Sequence, residues 1–375
     1  MTSPGSPWLR GEGPDRSDAS AEERVSDEAS ASGGAPEDSP EKREPRSSVP
    51  PAFTPTEPFR PAWGAAGPQR QTLLAHLVRR PRPPPLRRER VDTHDGDFLD
   101  LDWLDAPREV PHVLVLHGLE GSPHSGYVRA TLNEIARRGW GAVAMAWRSC
   151  SGEPNRTLRS YCSGETEDPR FVCARIRGAG VRGPLFAIGY SLGANALLKL
   201  LAETGEDAPV DAAAAVSTPF DLAACARALD APWGGGALYR RVFLRTLRQK
   251  ALGKLREHPA CGLSPEVVRR ARTLHAFDDA FTAPSNDYRD ADDYYARASS
   301  GPLLPRIRRP VLCISAEDDP MIPVETLPTP IPNPSVQLLR TRRGGHVGFL
   351  AGSLVRPRFW AEAQAVEFLA QVART

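Results

Sequence analysis

The sequence predicts an α/β fold in which helices flank a mainly parallel sheet. Two observations lead to this prediction. From about residue 88, short apolar runs alternate with longer helix-like stretches, which is typical of strands joined by helical crossovers. Residues 219–300 then interrupt the alternation with an Arg- and Ala-rich helical pattern, after which the apolar runs resume. Insertions at such a point commonly cover an active site, so we expect 219–300 to form a helical lid, with Phe243, Leu244 and Leu247 in its apolar roof.

The predicted elements follow in order along the chain. Residues 91–93 and 98–104 flank the turn Asp95-Gly96 and are expected to form an antiparallel hairpin. Apolar runs predict buried strands at 112–116, 142–147, 185–189, 212–217, 311–315 and 336–341. Helices are expected at about 127–138, 166–177, 192–204 and 357–372.

The first sixty residues differ in composition from the rest. They contain ten Pro, only five Leu, Ile, Val or Phe, and 12 acidic against 7 basic residues. Such a segment buries too little apolar surface to offset the entropy of ordering it. We therefore predict a disordered tail over 1–58 and one folded domain over 59–375. A solvated extension is the favoured role of the tail, and a partner-binding arm is the alternative.

The bulk composition excludes several classes of protein. The chain has 40% apolar residues, 25% charged residues and a formal charge of +2, which is the composition of an ordinary globular protein. This composition favours no nucleic-acid partner. The first thirty residues contain no apolar run of the length of a signal peptide core, and no later stretch is long enough for a membrane span, so neither export nor spanning is predicted. Six cysteines without metal-type spacing predict free thiols, no metal site and a reducing, cytoplasmic location.

A basic, proline-rich stretch precedes the predicted sheet. Residues 78–90, VRRPRPPPLRRER, contain six Arg and four Pro. Its polar neighbours favour a solvated, proline-stiffened connector. Weak peripheral contact with anionic lipid headgroups is the alternative.

The candidate nucleophile is Ser191. It lies in Gly189-Tyr190-Ser191-Leu192-Gly193, which matches G-x-S-x-G between an apolar strand and an Ala- and Leu-rich helix. This strand–turn–helix context is what a nucleophile elbow requires, because the turn must be sharp for the serine hydroxyl to project above the sheet. The motif alone is weak, but the context makes Ser191 a candidate for acyl transfer.

The loop His117-Gly118-Leu119-Glu120-Gly121-Ser122 follows an earlier strand, where the second half of an oxyanion hole is expected. The backbone amides of Leu119 and Leu192 are the candidate donors. The alternative is a tight turn without a catalytic role. We assign His117 to structure, because the catalytic base is expected later in the chain.

The base and the acid should follow the serine in the order acid, then histidine. His346 lies in a glycine-rich loop after the last predicted strand, where its imidazole can reach back to Ser191. The acid is Asp318 or Asp319, directly after the strand at 311–315. We select Asp319, because it stands four residues before Pro323, as the acid of such turns commonly does. Asp318 is expected to bond backbone amides of its own turn.

The motifs, taken together, resemble the YheT-like branch of the α/β-hydrolase superfamily. The matching segments in order are Gln71-Thr72, DGDFLDLDW (95–103), HGLEGS (117–122), RSCSGEPN (148–155), YCSGETED (161–168), GYSLGAN (189–195), DDYYARASS (292–300), AEDDPMIP (316–323) and GGHVGF (344–349). One departure is Ser149, where the family usually has Gly. The resemblance implies a carboxylesterase or a lipase acting on acylglycerols or phospholipids. We interpret RSCSGEPN and YCSGETED as scaffold, and Cys150 as a structural thiol because no base neighbours it in sequence.

The expected function is therefore hydrolysis of a small-molecule or lipid ester by Ser191, His346 and Asp319, without a cofactor. Two alternatives remain open from sequence. The same triad could act as a thioesterase or transfer the acyl group to an alcohol, or the chain could be a catalytically silent scaffold. Acyl-chain length and oligomeric state are left open.

Overall fold

A central eight-stranded sheet organises the part of the chain that the computed structural model describes, residues 52–232, 235–331 and 333–375. The strands are β1 (Arg87–Asp92), β2 (Phe98–Leu104), β3 (His112–Leu116), β4 (Gly141–Met145), β5 (Leu185–Tyr190), β6 (Ala212–Val216), β7 (Val311–Ala316) and β8 (Val336–Thr341). Their order is β1-β2-β4-β3-β5-β6-β7-β8. Every pairing from β4 to β8 is parallel, whereas β1 and β2 form an antiparallel hairpin and β2 runs antiparallel to β4. The predicted fold class is confirmed.

Helices cover both faces of this sheet. They are α1 (Pro68–Val78), α2 (Gly126–Arg137), α3 (Glu167–Gly178), α4 (Leu192–Thr204), α5 (Leu222–Asp230), α6 (Gly236–Glu257), α7 (Pro265–Arg270), α8 (Leu274–Phe277), α9 (Ala291–Ala298) and α10 (Trp360–Arg374). Residues of α2 and α10 pack into the core on one face, and residues of α3 and α4 into the core on the other. The strands β3 to β7 are buried along their whole length, as expected when both faces of a parallel sheet are covered.

Three elements were not anticipated from the sequence. They are α1 and the antiparallel pair β9 (Leu350–Gly352) and β10 (Pro357–Phe359), which precedes α10. Each strand of the pair has three residues, which is too short to show a hydrophobic period. Helix α1 packs on β9 through a small cluster that contains Ala75 and Leu350.

The segment 219–300 leaves the sheet after β6 and returns to it before β7. It contains α5 to α9, joined by single turns of 3-10 or π-helix. Its apolar side chains supply most of two clusters, one that includes Leu244 and Phe277 and one that includes Tyr294 and Tyr295. Met321 belongs to the first cluster and Cys162 to the second, so the insertion has a small core that it shares with the rest of the domain.

The basic stretch 78–90 contributes to the sheet. Four of its six arginines pair with carboxylates of the described chain: Arg79 with Glu362, Arg87 with Asp105, Arg88 with Asp102 and Arg90 with Asp100. The last three pairs lie across the β1–β2 hairpin, where they neutralise its aspartates. Neither interpretation of this stretch anticipated that pairing. Within the described ranges, no helix combines the length and apolarity needed to cross a bilayer.

A buried arginine joins three of the sequence motifs. The guanidinium of Arg148 has no exposed surface and bonds both carboxylate oxygens of Asp168, at 2.9 and 2.8 Å. It also contacts Asp95 at 2.6 Å and Asp97 at 3.3 Å. Burial would raise the pKa of Asp95, but hydrogen bonds from Arg148 and Thr93 hold it at about 2. Segments that begin at 95, 148 and 161 are thereby fixed to one another.

The neighbouring Ser149 stands where the family motif usually has Gly. Its backbone has φ 60°, the left-handed conformation that glycine adopts without strain. The Ser149 hydroxyl accepts the Asn155 amide N–H at 3.1 Å, and the Asn155 side chain accepts the Ser149 amide. These reciprocal bonds close the loop and support the strained residue.

The expected tail, residues 1–58, includes seven residues that the structure shows packed on the folded domain. Residues 1–51 lie outside the described residues, whereas 52–58 pack against α10. Phe53 meets Phe368 edge-on with ring centroids 5.8 Å apart, and the Trp360 indole donates to the Glu57 carbonyl at 2.9 Å. Averaging the composition over sixty residues concealed Phe53 close to the end of the window.

We expect truncation to separate these two parts of the expected tail. Deleting 1–51 should leave the melting temperature nearly unchanged, because that part has few apolar residues. Deleting 1–58 should lower Tm by about 5 °C, because about 2 kcal/mol of packing and hydrogen bonding to α10 is lost. Differential scanning calorimetry of both truncations measures the difference. Equal melting temperatures would show that 52–58 do not stabilise the domain.

A second prediction concerns Arg148. Replacing it with Met should destabilise the protein by about 3–5 kcal/mol in urea unfolding, because buried carboxylates lose their cation. Arg182→Met, which removes an exposed ion pair with Glu109, should cost less than about 1 kcal/mol. The same network makes stability depend on pH. Because the pKa of Asp95 is depressed in the folded protein, Asp95 contributes fully to the free energy of unfolding above about pH 4, and this contribution is lost as the pH falls to about 2. A loss below 1 kcal/mol for Arg148→Met would contradict this account.

Candidate active site

Ser191 occupies a sharp turn between β5 and α4. Its backbone has φ 51° and ψ −117°, which is strained for a residue with a side chain and costs on the order of 1–3 kcal/mol. Its amide donates to the Val216 carbonyl at 2.9 Å, and its own carbonyl accepts from Ala194 and Asn195 in the first turn of α4. Bonds to the neighbouring strand and to the helix therefore maintain the strained conformation.

The glycines of G-x-S-x-G permit close packing at this turn. A Cβ atom on Gly189 would lie 2.6 Å from the Gly193 carbonyl oxygen, and one on Gly193 would lie 2.6 Å from the His117 carbonyl oxygen. Real Cβ atoms do not approach backbone so closely, so a larger residue would force the chains apart. The positive φ itself is at Ser191, and neither glycine adopts one.

His346 lies in the loop that follows β8. Its Nε2 is 2.9 Å from Ser191 Oγ, and its Nδ1 is 2.8 Å from Asp319 Oδ2. The side chain of His346 is 12% exposed and that of Asp319 is 2% exposed, so the contact between them is shielded from water while the imidazole edge stays accessible. The structure thus brings together the serine, histidine and aspartate selected from the sequence.

The two adjacent aspartates have different partners. Asp319 Oδ1 accepts the amides of Met321 and Ile322, at 2.8 and 3.2 Å, which orients the carboxylate toward His346. Asp318 bonds the Gly345 amide across the site at 2.9 Å, and not its own turn as expected. Burial raises the pKa of Asp318, although amide donors in the histidine loop oppose the shift. Asp318 therefore fixes the loop that presents His346.

Helix α1 supports the same loop from outside the sheet. The His346 amide donates to Thr72 Oγ1 at 3.0 Å. The buried side chain of Gln71 accepts the Leu350 amide at 2.8 Å and donates to the Leu350 carbonyl at 3.1 Å. Arg79, paired with the buried Glu362, donates to the carbonyls of Val347 and Gly348. Sequence reasoning noted Gln71-Thr72 only as part of a family pattern and missed this supporting role.

The loop from His117 to Gly121 packs directly on the serine turn. A Cβ atom on Gly118 would lie 3.1 Å from Ser191 Cβ. His117 is fully buried, bonds the Gly118 carbonyl through Nδ1 and accepts the Trp147 amide through Nε2. Burial lowers the pKa of His117 to about 4, so the ring is neutral and its bonds are those of a structural residue.

Leu119 and Leu192, the candidate oxyanion donors, lie beside the same turn. Leu192 is the first residue of α4, where a backbone N–H has no partner within the helix. Within the described ranges, neither amide donates to another protein group. Both residues line the cavity beside Ser191 and His346. Two residues whose amides have no partner among the described groups thus line the cavity that contains Ser191.

This cavity has a volume of about 130 Å³ and lies between the serine turn and the insertion. Most of its wall is apolar, with contributions from Leu222, Leu229, Phe243, Leu247, Leu274 and Phe277. Leu244 was expected beside Phe243 and Leu247, but it packs in the core of the insertion. Residues 243 and 247 are one turn apart on the face of α6 toward the cavity, whereas 244 is on its flank.

Three charged side chains also border the cavity, and sequence reasoning missed them. They are Lys250 and Lys254 of α6 and Asp278. Burial raises the pKa of Asp278 to about 6 and lowers that of Lys254 to about 8. The only sequence signal was a pair of lysines one turn apart in α6, separated by Ala251, Leu252 and Gly253.

The thiols and acidic clusters offer little alternative chemistry. All six cysteines lie in the described part of the chain and are free. Cys150 is buried, which raises its pKa to about 11 and keeps it a neutral thiol. Among the described residues, no group of three His, Cys, Asp or Glu side chains is arranged to hold a metal ion.

Comparisons with known proteins show which families and folds this chain is similar to. A family model described as alpha/beta hydrolase fold matches residues 111–353. The chain is 39% identical to YheT of Escherichia coli (strain K12), named as a presumptive esterase, over 84% of this chain and 94% of that protein. It is 33% identical to the phospholipase ABHD3 of Mus musculus, over 79% of this chain and 74% of that protein. A monoacylglycerol lipase of Saccharomyces cerevisiae is 31% identical over 67% of this chain and 57% of its own. The esterase Pf2001 of Pyrococcus furiosus shares the fold, with a TM-score of 0.50 and 17% identity over 76% of this chain and 92% of its own.

Proposed function

We propose that this chain, which belongs to the YheT-like branch of the α/β-hydrolase family and hydrolyses carboxylic esters, does so through Ser191, His346 and Asp319. The observation that supports this most strongly is the unbroken hydrogen-bonded path between them. Asp319 lies 2.8 Å from one imidazole nitrogen of His346, and Ser191 Oγ lies 2.9 Å from the other. A nucleophile, a base and a group that orients the base are the parts that acyl transfer requires.

In the proposed reaction, Ser191 Oγ attacks the ester carbonyl carbon while His346 Nε2 accepts its proton. Asp319 keeps the proton of the neutral imidazole on Nδ1 and stabilises the imidazolium that forms. The Leu119 and Leu192 amides donate to the oxyanion, a contribution of about 3 kcal/mol per donor in comparable sites. His346 then protonates the leaving alcohol, and a water molecule hydrolyses the acyl-enzyme with His346 again acting as base.

We infer that the acyl group of the substrate is apolar. The wall of the cavity is built mainly from Leu and Phe side chains of α5, α6 and α8. Acylglycerols, phospholipids and esters of short or medium-chain acids fit that chemistry. The names of two relatives, a phospholipase and a monoacylglycerol lipase, support the same class. Because the insertion 219–300 supplies this wall, we propose that it acts as a lid.

A fluorophosphonate probe tests the proposed nucleophile. The folded protein should be labelled at Ser191, as identified by peptide mass spectrometry, whereas Ser191→Ala and heat-denatured protein should not be labelled. Hydrolysis of p-nitrophenyl esters of graded chain length should then give the preferred acyl length. If the folded protein is not labelled and no ester is cleaved, the chain is a silent scaffold. Labelling with product formed only in the presence of an added alcohol would indicate an acyltransferase.

The two aspartates provide a matched pair of variants. Asp319→Asn should lower kcat on the order of 10⁴-fold, as loss of the orienting carboxylate does in serine proteases, because the imidazole adopts the wrong tautomer. Asp318→Asn should cost less than about 10-fold, because an amide oxygen still accepts the Gly345 N–H. Kinetics on a p-nitrophenyl ester, with thermal melts to verify folding, separate the two. A greater loss for Asp318→Asn would assign the acid to the wrong residue.

A further inference from the structure

A side-chain network outside the triad connects the insertion to the loop His117–Gly121. Lys250 of α6 donates to Glu120 Oε1 at 2.8 Å, and the Tyr161 hydroxyl donates to the same oxygen at 2.6 Å. The Tyr161 oxygen also accepts the Glu120 amide N–H at 2.9 Å. One tyrosine thus holds both the backbone and the carboxylate of Glu120, and a lysine from the insertion supplies the opposite charge.

Glu120 is the residue directly after the proposed oxyanion donor Leu119. Its backbone has φ 54°, a left-handed conformation that a residue with a side chain adopts only when its surroundings enforce it. On the other side of Leu119, the Gly118 amide donates to the Tyr127 hydroxyl at 3.0 Å. The Leu119 peptide therefore lies between two anchored positions. The anchor at Glu120 is the one that α6 reaches.

The environment of the Glu120–Lys250 contact makes it more than a surface ion pair. The Glu120 side chain is only 10% exposed and that of Lys250 is 32% exposed. Lys250 Nζ also lies 3.3 Å from Cys150 Sγ and 5.7 Å from the centre of the Tyr161 ring. Displacing α6 would leave a nearly buried carboxylate with Tyr161 as a neutral donor and no cation, which is unfavourable. The seated position of α6 and the conformation of Glu120 thus stabilise each other.

We propose that Lys250 is a positioning residue that couples the closed position of α6 over the cavity to the alignment of the oxyanion loop through Glu120. This inference rests on the proposed function, because it assigns Leu119 as an oxyanion donor. Lys250 acts on the reaction through Glu120 and the backbone and takes no part in proton transfer. Its removal should therefore lower the rate of acylation more than it weakens substrate binding.

The test compares Lys250→Met with a matched variant on the same helix. Lys250→Met keeps the apolar stem and removes the charge, and it should lower kcat by about 10- to 100-fold, less than the full loss of an oxyanion donor. KM should change by less than about threefold, and the second-order rate of fluorophosphonate labelling should fall with kcat. Arg245→Met removes an exposed cation of α6 and should leave both rates unchanged. Lys250→Arg should restore most of the activity.

A second variant keeps the test decisive if Lys250→Met folds poorly. Glu120→Gln retains an oxygen for Tyr161 and removes the ion pair, so it should lower kcat to a similar extent. The double variant should be no slower than the worse single variant, because both act through one contact. Unchanged kcat in Lys250→Met, an equal loss in Arg245→Met, or a rise in KM alone would each overturn the inference. Failure of the wild-type protein to be labelled would instead overturn the proposed function.

Discussion

The parallel pairing of β5, β6, β7 and β8 determines where chemistry can occur in this protein. Parallel strands present their carboxyl ends at one edge of the sheet, so residues that follow them converge there. Ser191 follows β5, Asp319 follows β7 and His346 follows β8. Strand β6, which lies between β5 and β7, contributes as well. The Val216 carbonyl at its end accepts the Ser191 amide, and the hydroxyl of the next residue, Ser217, accepts the Val347 amide. The contacts among Ser191, Asp319 and His346 depend on this shared edge.

That edge is built from backbone that is strained and held in place by polar anchors. Glu120, Ser191, Ser217 and Val347 all have positive φ although none is glycine. Such conformations cost on the order of 1–3 kcal/mol each, and a typical hydrogen bond contributes about 1 kcal/mol. Several bonds per residue are therefore needed, which explains why side chains of tyrosine, serine and threonine surround these loops. The site is stable because the rest of the fold enforces its geometry.

Much of this arrangement could be inferred from local sequence. The strand–turn–helix context of Ser191, the loop after the last strand and the spacing of Asp319 from Pro323 are all short-range signals. The hydrophobic pattern similarly located β3 to β7, since each is a mainly apolar run. Strand β1 is polar, and the predicted arm 91–93 overlaps only its last two residues. The order of the strands in the sheet, however, cannot be predicted from the sequence of any single strand.

The features that escaped sequence reasoning depend on contacts between distant residues. Thr72 supports His346 across 274 positions, and Lys250 reaches Glu120 across 130. Neither residue belongs to a hydrophobic periodic pattern. A lysine in a helix is ordinarily expected to be a solvated side chain. Asp318 was assigned to its own turn because its actual partner, Gly345, lies in another loop. Only the folded chain reveals such partners.

The support that α1 gives to the His346 loop has a consequence for biosynthesis. Helix α1, the serine turn and the strands up to β7 all precede the imidazole in the chain. A nascent polypeptide from which residue 346 has not yet emerged has the serine but no base to activate it. The proposed hydrolytic activity therefore begins only once the His346 loop has been synthesised and has docked on α1.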